Sequence, residues 1–195
     1  MKNKILIQDA VSRPNTLKQQ LSSLAYQRGV DTFFSENIPF SYSCSLKHAN
    51  YFIKLLKRIY QKSNNKNLVV TELAAGTGLF TFRVLELLHE LKLPFSKSII
   101  FHITDFSQKN MDDIAASDFY QSYQKQIKLQ TFDMIKDNYT ALPKSDAFVL
   151  NYILDSLPHK HYHFANNTLT EKQIKTYVHE DQIILDSSKE FPEII

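Results

Sequence analysis

The sequence lacks several features that would each point to a particular class of protein. It has a single cysteine, Cys44, so no disulfide bond can form within its 195 residues, which favours an intracellular protein. No apolar run approaches the roughly 20 residues that cross a bilayer. The apolar stretch at residues 5–7 is also too short for the core of a secretory signal. We therefore expect a cytoplasmic protein without a membrane partner.

The chain also carries no strong excess of charge. Its formal net charge is +3, and the lysines are scattered among polar and acidic residues. The densest basic stretch, residues 54–58, alternates with apolar residues, which is typical of an amphipathic helix with a solvated face. No specific nucleic-acid partner is therefore expected. The alternating histidines His159, His161 and His163 have no companion cysteine or carboxylate cluster, so no metal site is predicted.

The pattern of apolar residues predicts an α/β fold. Residues 68–73 form a short apolar, β-branched run bounded by polar residues, which is typical of a buried strand. A mostly buried helix is predicted over residues 79–91, and further strands are predicted over residues 99–104, 127–132 and 147–150. Strands that alternate with helices imply parallel pairing through right-handed crossovers. We therefore expect an open, mostly parallel sheet with helices on both faces.

Shorter elements flank this pattern on both sides. The predicted helices are residues 16–26 and 45–61, and the predicted short strands are residues 175–179 and 182–185. The aromatic residues Phe33, Phe34, Phe40 and Tyr42 are expected to pack over the core, and the alternative is that they line a substrate pocket. We expect a helical N-terminal extension over residues 1–65 and an α/β domain over residues 66–195, in which the C-terminal part of the sheet is incomplete.

Polar residues follow the carboxyl ends of all four main strands. They are Glu72 with a glycine turn, Asp105, Asp133 and Asn151. Ligands of open parallel sheets bind beyond these strand ends, where helix N-termini also point. Gly76 and Gly78 lack a Cβ, so the backbone between them can turn sharply and let a ligand approach the amides that open the next helix. The four strand ends therefore predict one ligand site.

The spacing of the glycines argues against two phosphate-binding motifs. Counted from Gly76, a dinucleotide fingerprint requires a glycine at the sixth position, where this chain has Thr81. A P-loop requires Gly-Lys-Ser/Thr, which does not follow the turn. A nicotinamide-dependent oxidoreductase is therefore disfavoured. The glycine turn is expected to admit a ligand that does not bind through a phosphate group.

The segment Glu-Leu-Ala-Ala-Gly-Thr-Gly at residues 72–78 resembles motif I of class I S-adenosylmethionine-dependent methyltransferases. The resemblance extends over about residues 68–158 and implies a Rossmann-like fold with S-adenosyl-L-methionine as cofactor. In this class the acid, here Glu72, supports the loop and the charged amino group of the methionine moiety, and the glycines line the cofactor. Ala74 stands where the first motif glycine usually stands, and we expect this replacement to be tolerated.

The resemblance also implies roles for the later strand ends. An acid after the second strand holds the ribose hydroxyls, which implies this role for Asp105, with Phe106 beside it. An acid after the third strand usually contacts the adenine amino group, which implies this role for Asp133. Met134 is then an apolar neighbour of the adenine ring, and Asn151 opens motif IV.

Residues 151–158 are similar to a motif of the MidA-like branch of this class, which reads Asn-Glu-x-x-Asp-Ala-Leu-Pro. Tyr152 replaces the glutamate of that motif, which removes a carboxylate that could hold a guanidinium group. Methyl transfer is an in-line displacement, so a general base is optional. Asp155 is the first candidate for such a base and Tyr152 the second, with Asn151 beside them at the reacting end.

The sequence therefore predicts a methyltransferase that transfers a methyl group from S-adenosyl-L-methionine to a protein side chain or a small acceptor. The alternative is a truncated or catalytically silent cofactor-binding module that acts through a protein partner. Tyr152 and the short C-terminal part of the chain favour this alternative. The sequence leaves the acceptor and the oligomeric state open.

Overall fold

The computed structural model describes residues 4–34, 43–63, 67–151, 153–154, 156–179, 183–184 and 193–194. The chain divides into two compact units. The sheet unit comprises residues 24–155, and the terminal unit comprises residues 1–23 and 156–195. These units do not divide at residue 65, where the sequence predicts a domain boundary. The helix that precedes residue 65 packs into the core of the sheet unit and therefore belongs to it.

The secondary structure alternates between strands and helices over most of the chain. In chain order, the strands are β1 (Lys4–Ser12), β2 (Val69–Leu73), β3 (Ile100–Asp105), β4 (Ile127–Thr131), β5 (Ala147–Leu150), β6 (Tyr162–Ala165), β7 (Thr168–Glu171), β8 (Gln173–His179), β9 (Ile183–Ile184) and β10 (Glu193–Ile194). The α-helices are α1 (Leu17–Tyr26), α2 (Asp31–Phe34), α3 (Leu46–Lys62), α4 (Leu79–Glu90), α5 (Gln108–Ala116) and α6 (Asp118–Tyr123). Among the described residues, no helix is both long enough and apolar enough to cross a membrane.

The sheet unit is built on a parallel sheet of four strands in the order β4-β3-β2-β5. Helix α4 connects β2 to β3, and α5 and α6 connect β3 to β4. The predicted Rossmann-like α/β fold is therefore confirmed, with its four strands at the predicted places. The order of the strands along the chain reverses between β2 and β5, and in open α/β sheets this reversal marks the ligand cleft.

Apolar side chains from the strands and from helices α3 and α4 form the core of the sheet unit. Helix α3 begins where the Ser45 side chain accepts a hydrogen bond from the His48 amide at 3.2 Å, and its buried face carries Ala49, Ile53 and Leu56. Its N-terminus is therefore fixed by a cap, and its position on the sheet by burial. The predicted helix at residues 45–61 is confirmed.

The described residues of the terminal unit form three antiparallel strand pairs, β1-β8, β6-β7 and β9-β10. Strand β1 lies where a helical extension was expected, and it pairs with β8 at Lys4–His179 through Ser12–Gln173. The predicted strand at residues 175–179 is confirmed as part of β8, and β9 lies within the predicted strand at residues 182–185 and pairs with β10. The partner of β8 is the distant N-terminus, which a local sequence pattern does not reveal.

Candidate functional site

The reversal of strand order between β2 and β5 places two of the predicted polar strand ends side by side. Leu73 at the end of β2 pairs with Leu150 at the end of β5. Ala74, which opens the glycine turn, and Asn151 each follow this pair by one residue. The carboxyl end of β3, with Asp105, lies on the other side of β2. The fold therefore brings Glu72, the glycine turn, Asp105 and Asn151 to one edge of the sheet.

Glu72 is a buried carboxyl group next to the glycine turn. Only 2% of its surface is exposed, and its Oε2 accepts a hydrogen bond of 2.6 Å from the Thr81 hydroxyl on α4. Burial raises the pKa of Glu72 to about 7, although the hydrogen bonds from Thr81 oppose this increase. A buried carboxylate of this kind is stabilised by a cationic ligand group, as the predicted role at the amino group of the cofactor requires.

The glycine turn has the sharp backbone that its sequence predicts. Ala74, Gly76 and Gly78 have φ values of 53°, 57° and 68°, all in the left-handed region. A Cβ at Gly76 would lie 2.7 Å from the Phe33 ring, and one at Gly78 would lie 3.2 Å from Ile114 Cδ1. The two glycines therefore make room for side chains of the protein itself, a reason that the sequence did not indicate.

Replacing Ala74 with glycine is expected to raise the free energy of unfolding by up to about 1 kcal/mol. The left-handed conformation costs a residue with a Cβ roughly 1–2 kcal/mol, and the greater freedom of glycine in the unfolded chain offsets part of the gain. Urea denaturation followed by circular dichroism measures the change. The matched control is Ala75→Gly, because Ala75 is outside the left-handed region and should lose stability. Equal effects of the two substitutions would contradict this account.

Asp105 joins the glycine turn to the start of helix α5. Its Oδ2 accepts a hydrogen bond of 2.9 Å from the Gly76 amide, and its Oδ1 accepts from the Ser107 amide at 2.9 Å and from Asn110 Nδ2 at 3.1 Å. Burial raises its pKa, and these donors oppose the rise. The Gly76 amide is thus paired within the protein, and the Asp105 carboxylate links the glycine turn to α5. The role of Asp105 and of the adjacent, half-buried Phe106 at the ribose stays a prediction.

Asp133 organises the turn that follows β4. Its Oδ1 accepts from the Ile135 amide at 2.9 Å, and its Oδ2 lies 3.1 Å from the Lys136 ammonium group. Burial alone would raise the pKa of Asp133, but the Ile135 amide and the Lys136 charge hold it below its usual value. Met134 is half-buried, and its carbonyl accepts from the Tyr139 hydroxyl at 2.8 Å. Contacts of Asp133 and Met134 with adenine remain predictions.

Asn151 lies beside a histidine that the sequence did not identify as a site residue. The His48 Nε2 on α3 and the Asn151 Oδ1 are 3.2 Å apart. The two residues are more than a hundred positions apart in the sequence, and the only local signal is the Ser45 cap that places His48 in the first turn of α3. Tyr152 and Asp155, the predicted candidates for a general base, lie outside the described residues.

An aromatic residue before α3 also reaches the glycine turn. The Phe33 ring on α2 occupies the space in front of Gly76. The segment is held by the Val30 amide, which donates to Asp113 Oδ2 on α5 at 3.1 Å. Phe33 therefore borders the candidate site.

Two histidines of the terminal unit lie close together. The rings of His159 and His161 have centroids 5.0 Å apart, and the His161 Nε2 lies 3.4 Å from the Arg13 guanidinium. Within the part of the chain that the structure describes, no three His, Cys, Asp or Glu side chains are grouped so as to hold a metal ion.

A family model described as "Putative S-adenosyl-L-methionine-dependent methyltransferase" matches residues 49–192. The match includes helix α4, the glycine turn and all four strands of the parallel sheet. The chain belongs to this family. S-adenosylmethionine is the cofactor of the family, so the class and the cofactor that the sequence predicted are confirmed.

Solved structures provide distant likenesses. A protein from Burkholderia thailandensis, solved with bound S-adenosyl-homocysteine, is 16% identical with a TM-score of 0.49, and the match covers 71% of this chain and 33% of that one. A second protein from the same organism is 13% identical with a TM-score of 0.48, covering 85% and 44%. Magnesium protoporphyrin IX methyltransferase from Synechocystis, also with S-adenosyl-homocysteine, is 13% identical with a TM-score of 0.34, covering 68% and 53%.

The chain spans 33% of the length of the first of these structures. A comparison with curated proteins found no match. These identities and TM-scores are too low to support a conclusion about function. Membership of the family is shown by the family model.

The residues at the sheet edge fit S-adenosylmethionine chemically. Glu72 offers a buried carboxylate to a ligand that carries an ammonium and a sulfonium group. Two buried side-chain atoms, Asn151 Nδ2 and Asn110 Oδ1, have no hydrogen-bond partner among the described residues. A buried donor and a buried acceptor of this kind are costly unless water or a ligand satisfies them, and the cofactor carries groups that can pair with both.

Proposed function

We propose that this chain is a MidA-like methyltransferase, in which the sheet edge binds S-adenosylmethionine for methyl transfer to a protein side chain or a small acceptor. The observation that carries the proposal is the buried Glu72 carboxyl beside the glycine turn, at the reversal of strand order within the matched family segment. The proposal includes a cytoplasmic location, an N-terminal extension over residues 1–65 and a cofactor domain over residues 66–195.

Each residue of the site has a separate task in this proposal. The Glu72 carboxylate binds the ammonium group of the cofactor, and the Ala74–Gly78 turn, whose three left-handed residues have small side chains or none, lines it. Asp105 and Phe106 bind at the ribose, and Asp133 and Met134 bind at the adenine. Bound S-adenosylmethionine supplies a methyl group on a positively charged sulfur.

The reacting end lies at Asn151 in this proposal. Asn151 orients the groups that meet there, and Asp155, or else Tyr152, accepts a proton from an acceptor that must lose one. The acceptor itself is a protein side chain or a small molecule.

A second candidate function is a catalytically silent module that binds S-adenosylmethionine and acts through a protein partner. One observation favours it: Tyr152 stands where the MidA-like motif has a glutamate.

Calorimetric titration of the full chain tests the proposal. We expect binding of S-adenosylmethionine and S-adenosyl-homocysteine, and no binding of NAD, because the glycine spacing lacks the phosphate cradle of a dinucleotide site. Absence of binding by both sulfur nucleosides would overturn the proposal. Methyl transfer from labelled S-adenosylmethionine into a cell extract then supports the enzyme, whereas binding without transfer supports the silent module.

A further inference from the structure

His48 lies where the glycine turn passes into helix α4. The Ser45 cap fixes the first turn of α3 and so places the His48 side chain. The His48 ring packs against the ring of Phe80 in the first turn of α4, with centroids 5.3 Å apart. The pKa of the neighbouring Cys44 is raised, first because the thiol is buried and then because of the Glu72 charge.

His48 holds one end of the Asn151 carboxamide. Asn151 Oδ1 can only accept a hydrogen bond, so the His48 Nε2 is the donor in the contact of 3.2 Å. The other end, Asn151 Nδ2, is buried without a partner among the described residues. His48 uses one acceptor site of the oxygen, and the end of the carboxamide that is left without a partner is the NH2 group, which can only donate.

A group that only donates selects the charge of the ligand group that it meets. It can bind a carboxylate or a carbonyl oxygen, but it cannot bind an ammonium group. Glu72, on the strand next to β5, has the opposite preference, since its carboxylate can bind only donors or cations. The two side chains together are therefore complementary to an α-amino acid group, whose ammonium and carboxylate share one carbon atom.

We propose that His48 positions the Asn151 carboxamide so that its NH2 group binds the carboxylate of the methionine moiety of the cofactor. This inference rests on the proposed binding of S-adenosylmethionine at the sheet edge. It identifies the residue that binds the carboxylate of the cofactor. His48 is a positioning residue that acts through Asn151, and Asn151 is the residue that contacts the cofactor.

The probe that tests this inference is decarboxylated S-adenosylmethionine, which keeps the sulfonium and ammonium groups and lacks the carboxylate. Calorimetry on the full chain compares it with S-adenosylmethionine for the wild type, Asn151→Leu, His48→Phe and His48→Gln. His48→Phe keeps an aromatic ring against Phe80 but loses the donor, and His48→Gln keeps a donor. A hydrogen bond to a charged group corresponds to roughly a tenfold or larger change in affinity.

We expect Asn151→Leu and His48→Phe to lower the affinity for S-adenosylmethionine at least tenfold, and that for the decarboxylated compound less than twofold. His48→Gln should restore most of the loss, and the double variant His48→Phe/Asn151→Leu should be no weaker than Asn151→Leu. Equal losses for both compounds, or additive losses in the double variant, would overturn the inference while the proposed function stands. If the wild type binds neither compound, the proposed function itself fails and the inference with it.

Discussion

Replacing Asp105 with alanine is expected to lower the free energy of unfolding by about 3–5 kcal/mol, a large part of the stability of a domain of this size. The substitution leaves three buried donors without their acceptor, namely the Gly76 amide, the Ser107 amide and Asn110 Nδ2. Each such donor costs roughly 1–3 kcal/mol. The chain has no tryptophan, so urea unfolding is best followed by circular dichroism.

Two further substitutions separate hydrogen bonding from the loss of a negative charge. Asp105→Asn keeps one side-chain oxygen and should lose about half as much stability as the alanine variant. Asp112→Ala removes an exposed carboxylate from the same helix region, where it accepts only from Gln108, and should change stability by less than about 0.5 kcal/mol. An Asp105→Ala variant as stable as Asp112→Ala would show that Asp105 does not hold the turn.

The alanine variant is a poor test of the predicted role of Asp105 at the ribose. Loss of cofactor binding in Asp105→Ala would follow from a disrupted glycine turn as readily as from a lost ligand contact. Asp105→Asn is the better variant, because it keeps one side-chain oxygen for these donors and removes the charge. Cofactor affinity is then compared at a temperature where circular dichroism shows the variant to be folded.

The parts of the fold that could be predicted from the sequence are those specified by local patterns. A buried parallel strand such as β2 is a short apolar run between polar residues, and α4 has an apolar stripe at helical spacing. The polar residues at the ends of these strands then predicted that Glu72, Asp105 and Asn151 lie at the same edge of the sheet. The order of elements was sufficient for this, since parallel strands place their carboxyl ends at one edge.

The parts that could not be predicted depend on residues far apart in the chain. The partner of β1 is β8, and the partner of Asn151 is His48 on a helix that precedes the sheet. The space over Gly76 is likewise taken by Phe33, whose approach depends on tertiary packing. Local sequence also does not reveal that Asp105 is already engaged by three donors of the protein. Strand-end acids thus serve the fold as well as a ligand, and the pattern alone does not separate these roles.

Replacing Glu72 with glutamine is expected to change the pH dependence of stability. In the folded chain the pKa of Glu72 is about 7, against 4.5 for the free group, because the carboxyl is buried. Between these values the unfolded chain releases a proton that the folded chain keeps. The stability contributed by this group is therefore fully present below about pH 4.5 and lost as the pH rises through 7, a total of roughly 3 kcal/mol.

Glutamine cannot ionise, and its side-chain oxygen can still accept the hydrogen bond from Thr81. The free energy of unfolding of Glu72→Gln, relative to the wild type, should therefore rise by roughly 2–3 kcal/mol between pH 5 and pH 8. Subtracting the two proteins removes the groups that titrate identically in both. Urea unfolding at several pH values provides the measurement. If the difference in free energy of unfolding between the two proteins stayed constant with pH, the pKa of Glu72 would not be raised in the folded chain.

Cofactor binding should respond to the same substitution in the opposite direction. A ligand with an ammonium and a sulfonium group binds the ionised form of Glu72, so wild-type affinity for S-adenosylmethionine should fall by up to about tenfold for each pH unit below 7. Glu72→Gln should bind more weakly at pH 8 and show little dependence on pH. A carboxyl that lowers the stability of the free protein at pH 8 and yet is needed for binding is typical of a ligand site, because a purely structural group would not be retained at that cost. If Glu72→Gln were both more stable at pH 8 and equally tight in binding, Glu72 would not be the partner of the ammonium group, and the cofactor would have to be held by other residues of the sheet edge.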